Sequence, residues 1–179
     1  MRLLGCPFEI MVKSVDETVD LTLPPADVVR TLALRKARAV SDELAGDKEK
    51  AVVIGADTIV VWNGVILGKP RDEEEAFRML SLLQGNTHQV YSGVACIDTA
   101  TERAVVDYRM TQVTFKPLTD QQIRRYIQTG EPLDKAGAYG IQGYGALLVD
   151  HIEGDYFNVV GLPLSRLTDL LQEFGIEVI

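Results

Sequence analysis

Ala51-Val52-Val53-Ile54-Gly55-Ala56-Asp57-Thr58-Ile59-Val60-Val61-Trp62-Asn63-Gly64-Val65-Ile66-Leu67-Gly68-Lys69-Pro70 contains the strongest strand and turn signals in the chain. Ala51 to Ile54 is a continuous apolar run of the kind that forms a buried strand. Gly55-Ala56-Asp57-Thr58 interrupts it, and Ile59 to Trp62 resumes it. Asn63-Gly64 is a two-residue hairpin signal, because both residues tolerate positive φ. Val65 to Leu67 returns as the partner strand, and Gly68-Lys69-Pro70 ends it. A two-residue turn sets Trp62 opposite Val65, Thr58 opposite Lys69 and Asp57 opposite Pro70. That gathers Asp57, Thr58 and Lys69 at one end of two neighbouring strands. Ideal alternation puts Asp57 and Lys69 on opposite faces, and a bulge at Gly68 would bring them together.

Upstream, Phe8 to Val12 is a short β-prone run, followed by a polar loop with Asp16 and Glu17. Pro24-Pro25 opens a helix, as proline does in a first turn. Val28, Val29, Leu32, Ala33, Lys36, Ala37 and Val40 follow helical spacing to about Leu44, so Lys36 lies on or beside the apolar face. Gly46-Asp47 is the expected stop. Downstream, Asp72 to Leu83 reads as a helix with an acidic first turn that suits the helix dipole, stopped at Gly85. Gln89 to Ile97 and Ala104 to Phe115 alternate as a strand pair. Thr119 caps a helix that runs to about Gln128 and ends at Gly130. A glycine-rich segment follows from Ala136 to Gly145, then a buried-type strand over Ala146 to Val149 and a last helix over Leu164 to Phe174. Strands interspersed with helices give an α/β or α+β domain with a mixed sheet.

Lys and Arg number 18 against 26 Asp and Glu, a formal charge of −8. An acidic chain lacks the basic face that a nucleic acid polymer or an anionic membrane requires. A nucleotide substrate remains compatible, since a metal ion and a few placed lysines cancel phosphate charge locally. The two cysteines, Cys6 and Cys96, form no CxxC pair, and His88 and His151 lie far apart, which argues against a zinc site. Reduced packing cysteines in a cytoplasmic protein are the expectation. No apolar run reaches the roughly 18–20 residues of a membrane span.

Asp57 is the most telling residue, because a carboxylate inside an apolar strand is costly unless it is bound to something. It could serve a site, cap a loop or pair with a lysine. Lys69 could bind an anion or mark a strand end. Asp16 and Glu17 offer the carboxylate oxygens that Mg²⁺ prefers, or form a solvated turn. Gln142, in the glycine-rich segment, offers both a donor and an acceptor, which suits the amide edge of a pyrimidine. The same glycines also suit a tight strand entry.

Together these residues resemble the Maf family of nucleoside triphosphate pyrophosphatases. The matching segments are Val15-Asp16-Glu17, Leu34-Arg35-Lys36-Ala37, Gly55-Ala56-Asp57-Thr58, Gly68-Lys69-Pro70, Ala76 to Gly93 and Glu131-Pro132. Lys135 through Gly143, Gly154-Asp155-Tyr156 and Asn158 through Pro163 complete them. The resemblance implies an elongated α/β fold with a mixed sheet, flanking helices and a central cleft, shared with inosine triphosphate pyrophosphatases. It implies a homodimeric hydrolase that uses a divalent cation, Mg²⁺ or Mn²⁺, and releases pyrophosphate. Asp57 matches the family's general base, Lys36 and Lys69 its phosphate-binding lysines, and Glu17 an acidic residue near the metal. Thr58 and Gln142 match positions that distinguish substrate classes. Ile141-Gln142-Gly143 resembles the branch acting on dTTP and UTP rather than on 7-methyl-GTP. Against the family pattern, residues 1–179 form one domain without its first strand and Ser-x-Ser-Pro-Arg-Arg loop. Arginine clamps phosphate through a planar fork, so the resemblance implies weakened phosphate binding in the chain as it stands. Two other readings fit the same residues: a purine-type house-cleaning pyrophosphatase, and a nucleotide-binding or division-related interaction protein with impaired turnover.

Overall fold

Pro25, Asp27 and a run of apolar residues at helical spacing form α1 (Pro25–Leu44), which buries Val28, Val29, Leu32, Ala33 and Ala37. The structure, a computed structural model, describes residues 1–20, 22–44 and 50–178. The expected helix stop at Gly46-Asp47 lies outside the described residues. β1 (Val52–Trp62) runs unbroken through Gly55-Ala56-Asp57-Thr58, where an interruption was expected. None of these residues has to leave the extended region, and α1 packs against Gly55 with no gap to fill.

Asn63 (φ 48°) and Gly64 (φ 78°) make the tight turn, and the register is Trp62↔Val65, Val61↔Ile66 and Val60↔Leu67, as the two-residue turn demands. β2 (Val65–Leu67) then stops, so the expected Thr58–Lys69 and Asp57–Pro70 pairs are not part of the ladder. The Gly68 carbonyl instead accepts from the Gly137 N–H at 3.0 Å, which draws the chain out of the sheet before Lys69.

Asp72 caps α2 (Glu73–Leu83) by accepting from the Glu75 N–H. Next come β3 (Thr87–Asp98) and β4 (Ala104–Phe115). Thr119 and Gln122 form a reciprocal capping box at α3 (Asp120–Ile127). β5 (Val149–Glu153), α4 (Tyr156–Val160) and α5 (Leu164–Gln172) complete the chain. The strand order is β2-β1-β3-β4-β5. The α/β class stands, while the strands run antiparallel rather than mixed. β1–β2 and β4–β5 are antiparallel ladders, and Ala51, at the start of β1, bonds Thr99, at the end of β3. β3 and β4 are joined as a hairpin with Asp98 N–H on the Arg103 carbonyl.

Two sequence expectations are corrected. Phe8 to Val12 is not a strand; Ile10 and Val12 are 80% and 89% exposed, and no described strand pairs with them. Ala146 to Val149 is not a strand along its length, because Gly143–Leu147 curls into a 3-10 turn and β5 begins only at Val149.

The chain divides into two compact units. The first comprises Met1–Asp57, Ser92–Arg109 and Gly161–Ile179. In it Ala33 and Ala37 of α1 pack on Val53, Ala95 and Ile97, while Leu167, Leu170 and Leu171 of α5 pack with Leu4, Val94 and Cys96. Two glycines let α1 lie directly on strand backbone. A Cβ at Gly55 would overlap the Ala33 carbonyl oxygen, and one at Gly93 would overlap that of Val29. Cys6 and Cys96 are both free, and burial pushes the Cys96 thiol up to about 12. The second unit comprises Thr58–Tyr91 and Met110–Val160, with a core that includes Leu80, Leu83, Val113, Phe115 and Ile123. His88 is 2% exposed there, shares a 2.7 Å hydrogen bond with the Tyr139 hydroxyl, and is pushed down to about 4 by burial.

Candidate functional site

The close approach of α1 to β1 builds the first cluster. Because Ala33 and Ala37 flank Gly55, the side chain of Lys36 reaches the β1 residue two places further on. Its Nζ lies 2.6 Å from Asp57 Oδ1 and 2.9 Å from Glu17 Oε1. The Asp57 side chain is only 10% exposed. Of the alternatives open to a carboxylate in an apolar strand, pairing with a lysine is realised, and the lysine is the one on the apolar helix face. Burial works to lower the Lys36 pKa, but the hydrogen bonds to Asp57 and Glu17 outweigh it and the net shift is upward. The ammonium therefore stays charged at neutral pH.

Glu17 reaches this cluster because its loop is held from both sides. Arg35 Nη1 donates to the Asp16 carbonyl at 2.9 Å and to the Thr18 carbonyl at 2.6 Å. Asp16 Oδ1 closes the turn by accepting from the Thr18 N–H at 2.8 Å. Consecutive residues of α1 thus divide the work: Arg35 grips the loop backbone and Lys36 meets the carboxylate that the loop presents. Sequence reading assigned Arg35 no role, because its partners are carbonyls that no side-chain pattern reveals. Arg35→Ala is expected to leave the Lys36–Asp57 pair intact and to release Glu17. Amide hydrogen exchange at Thr18 should quicken through the lost hydrogen bonds that hold the turn. Unchanged exchange would show that the loop holds its shape unaided.

Thr58, Lys69 and Gln142 belong to the second unit. Thr58 is half-buried in β1, while Lys69 and Gln142 are exposed, Lys69 two residues past the end of β2. Lys69 lies near enough to Asp134 to help hold that carboxyl below its ordinary range, after the larger effect of Lys135. Gln142 stands in extended backbone just before Gly143, whose φ of 64° turns the chain. Glu131 organises this segment. It accepts from the Tyr144 N–H, the Gly145 N–H and the Tyr126 hydroxyl at 2.9, 2.9 and 2.8 Å. That capture of backbone donors is why Gly143–Leu147 curls instead of extending.

A family profile described as Maf-like protein matches residues 1–174. The chain belongs to the Maf-like proteins. It is 52% identical over 179 residues to the dTTP/UTP pyrophosphatase of Pelotomaculum thermopropionicum, covering 100% of this chain and 92% of that one. It is 51% identical over 178 residues to the dTTP/UTP pyrophosphatase of Bacillus cereus and 50% identical to that of Bacillus anthracis, in each case over 99% of this chain and 90% of the relative.

A divalent cation fits the Glu17–Asp57 pair of this Maf-like chain by its donor chemistry. Two carboxylates already converge on one cationic atom within 2.9 Å. Among the described residues no group of three or more His, Cys, Asp or Glu gathers to hold a metal. A two-carboxylate set is the kind Mg²⁺ uses when water and substrate phosphate complete its shell. No described helix is long and apolar enough to cross a membrane.

Proposed function

We propose that this chain is a nucleoside triphosphate pyrophosphatase that splits dTTP and UTP into the monophosphate and pyrophosphate. The observation that carries the chemistry is the Asp57 carboxylate, nearly buried and held by an ammonium that also binds Glu17. The substrate class follows from the relatives named dTTP/UTP pyrophosphatase.

In this reading a water oxygen bonds to the α-phosphorus while the bond from that phosphorus to the bridging oxygen breaks. Asp57 orients the water and takes its proton as general base. Lys36, already charged, balances Asp57 and Glu17 and offers positive charge to the phosphates as pyrophosphate leaves. Glu17 and Asp57 would hold the divalent cation, Mg²⁺ or Mn²⁺, which supplies charge neutralisation at the phosphates when bound. Lys69 is a further phosphate-binding residue, and Thr58 and Gln142 select the base. The resemblance also supports a homodimer as the working form and the cytoplasm as its setting.

The test is product analysis with dTTP, UTP, dGTP and inosine triphosphate in Mg²⁺ or Mn²⁺. Monophosphate and pyrophosphate from the pyrimidine nucleotides are expected. Release of orthophosphate and the nucleoside diphosphate would overturn the reaction, and a preference for purines would overturn the substrate.

Gln142→Ala is expected to lower the ratio of kcat/KM for dTTP over dGTP by about tenfold, the scale of a lost base-directed hydrogen bond. A ratio unchanged in the mutant would remove Gln142 from base selection.

A further inference from the structure

Glu131 is half-buried, and its carboxylate is met by donors from three directions. The Tyr144 N–H reaches Oε2 at 2.9 Å, while the Gly145 N–H and the Tyr126 hydroxyl reach Oε1 at 2.9 and 2.8 Å. The Tyr126 oxygen in turn accepts from the Gly140 N–H at 3.3 Å. The two ends of the Gln142 segment therefore meet at one carboxylate–phenol pair. Successive backbone N–H groups following a glycine in the left-handed region form a concavity that binds anions. Gly143 has φ 64°, and the N–H groups of Tyr144 and Gly145 follow it. Here the anion is supplied by the chain itself.

The glycines around it leave room for nothing larger. A Cβ at Gly143 would lie 2.5 Å from Glu131 Oε2, and one at Gly145 would overlap the Gly140 carbonyl and lie 2.9 Å from the Tyr126 hydroxyl. Burial works to raise the Glu131 pKa, but the bonds from Gly145, Tyr126 and Tyr144 outweigh it, so the carboxylate is held below its ordinary range.

We propose that Glu131 is the positioning residue of the Gln142 segment: its carboxylate fills the anion-binding concavity of Tyr144 and Gly145 and reserves the segment for an uncharged base edge rather than a phosphate. This rests on the proposed role of Gln142 in reading the base. With Glu131 in place, the Tyr144 and Gly145 N–H groups that would draw a phosphate are already taken. The shape it fixes presents Gln142 in extended backbone, exposed, just before the turn.

The experiment compares Glu131→Gln, Tyr126→Phe and Gln142→Ala with the natural chain. Glu131→Gln keeps the volume but turns an NH₂ group toward backbone donors. KM for dTTP should rise about tenfold with kcat within about threefold, and the dTTP-to-dGTP ratio of kcat/KM should fall about tenfold. Amide exchange at Tyr144 and Gly145 should quicken. Tyr126→Phe leaves the carboxylate in the concavity and should keep the ratio within about twofold. If Glu131→Gln does not fold, Glu131→Asp, which keeps the charge but draws the carboxylate back from the Tyr144 and Gly145 N–H groups, is read in the same way.

A lower melting temperature with an unchanged ratio would overturn the proposal, reducing Glu131 to a structural contact. If Gln142→Ala moves the ratio and Glu131→Gln does not, the Glu131 assignment fails and base reading by Gln142 stands. If only Glu131→Gln moves it, Gln142 loses its role in reading the base and the proposal that rests on it falls. Should the natural chain prefer purines, the substrate reading fails, while a ratio that shifts in Glu131→Gln still supports the positioning role.

Discussion

Asp57→Asn is expected to abolish pyrophosphate release, lowering kcat by about two to four orders of magnitude, the usual range for a lost general base. The amide keeps the size and polarity of the side chain at a position that is only 10% exposed, so β1 should remain intact. What disappears is the proton acceptor, the carboxylate charge that Asp57 would offer a cation (the Asn oxygen can still ligate) and the negative partner of Lys36, whose Nζ stands 2.6 Å from Oδ1 in the natural chain. Lys36 keeps Glu17 at 2.9 Å and so stays tethered at the same place. Nucleotide affinity is therefore expected to stay within about tenfold, a difference of 1.4 kcal/mol or less. Steady-state release of pyrophosphate from dTTP, with binding measured separately by calorimetry, separates the two quantities. Turnover equal to that of the natural chain would remove Asp57 from the chemistry, and loss of binding in parallel with turnover would make it a charge partner only.

Gly55→Ala should produce a large loss of stability in the first unit. The added Cβ would overlap the Ala33 carbonyl oxygen and lie 2.5 Å from the Ala37 nitrogen. Both are backbone atoms of a 20-residue helix, so no side-chain rotation relieves the overlap. α1 would have to move off β1 and give up the packing of Ala33 and Ala37 on Val53, Ala95 and Ile97. Overpacking of this kind costs about 3 kcal/mol or more when the neighbour cannot yield. For a chain of this size that corresponds to a fall of about 6–12 °C in the melting temperature. Withdrawal of α1 would also carry Lys36 away from Asp57, so activity should fall even below the melting transition. Gly68→Ala is the control, because nothing lies within 4 Å of its Cβ position and its φ is not in the left-handed region. It should shift stability by less than about 0.5 kcal/mol. Equal melting temperatures for Gly55→Ala and Gly68→Ala would show that α1 does not rest on the strand as described.

Local signals settled what could be settled locally. Asn63-Gly64 specified the turn type and with it the Trp62↔Val65 register, because positive φ at both positions leaves few choices. Asp72 and Thr119 marked their helix starts by side-chain capping within one turn. Asp57 and Lys36 were conspicuous as charged residues in apolar runs, and desolvation requires such groups to find partners. That requirement did not identify the partner. Hairpin counting sets Lys69 opposite Thr58, yet β2 ends at Leu67, where the Gly68 carbonyl is taken by the Gly137 N–H from nearly seventy residues away along the chain. Lys36 pairs with Asp57 because Gly55 and Gly93 admit a helix backbone against the sheet, a fit between surfaces that neither segment contains alone.

The backbone-directed contacts were the least legible. Arg35 grips two carbonyls and Glu131 two N–H groups, and every residue carries those same backbone groups, so no residue pattern distinguishes these from any others. The sequence by itself determined the α/β class, the turn, the helix caps and which charged groups needed a partner, since these depend on short-range sterics and on the cost of desolvation. Only the tertiary structure decided that Lys36 joins Asp57 to Glu17 and that Glu131 curls Gly143–Leu147, because long-range pairing depends on which backbones can approach one another.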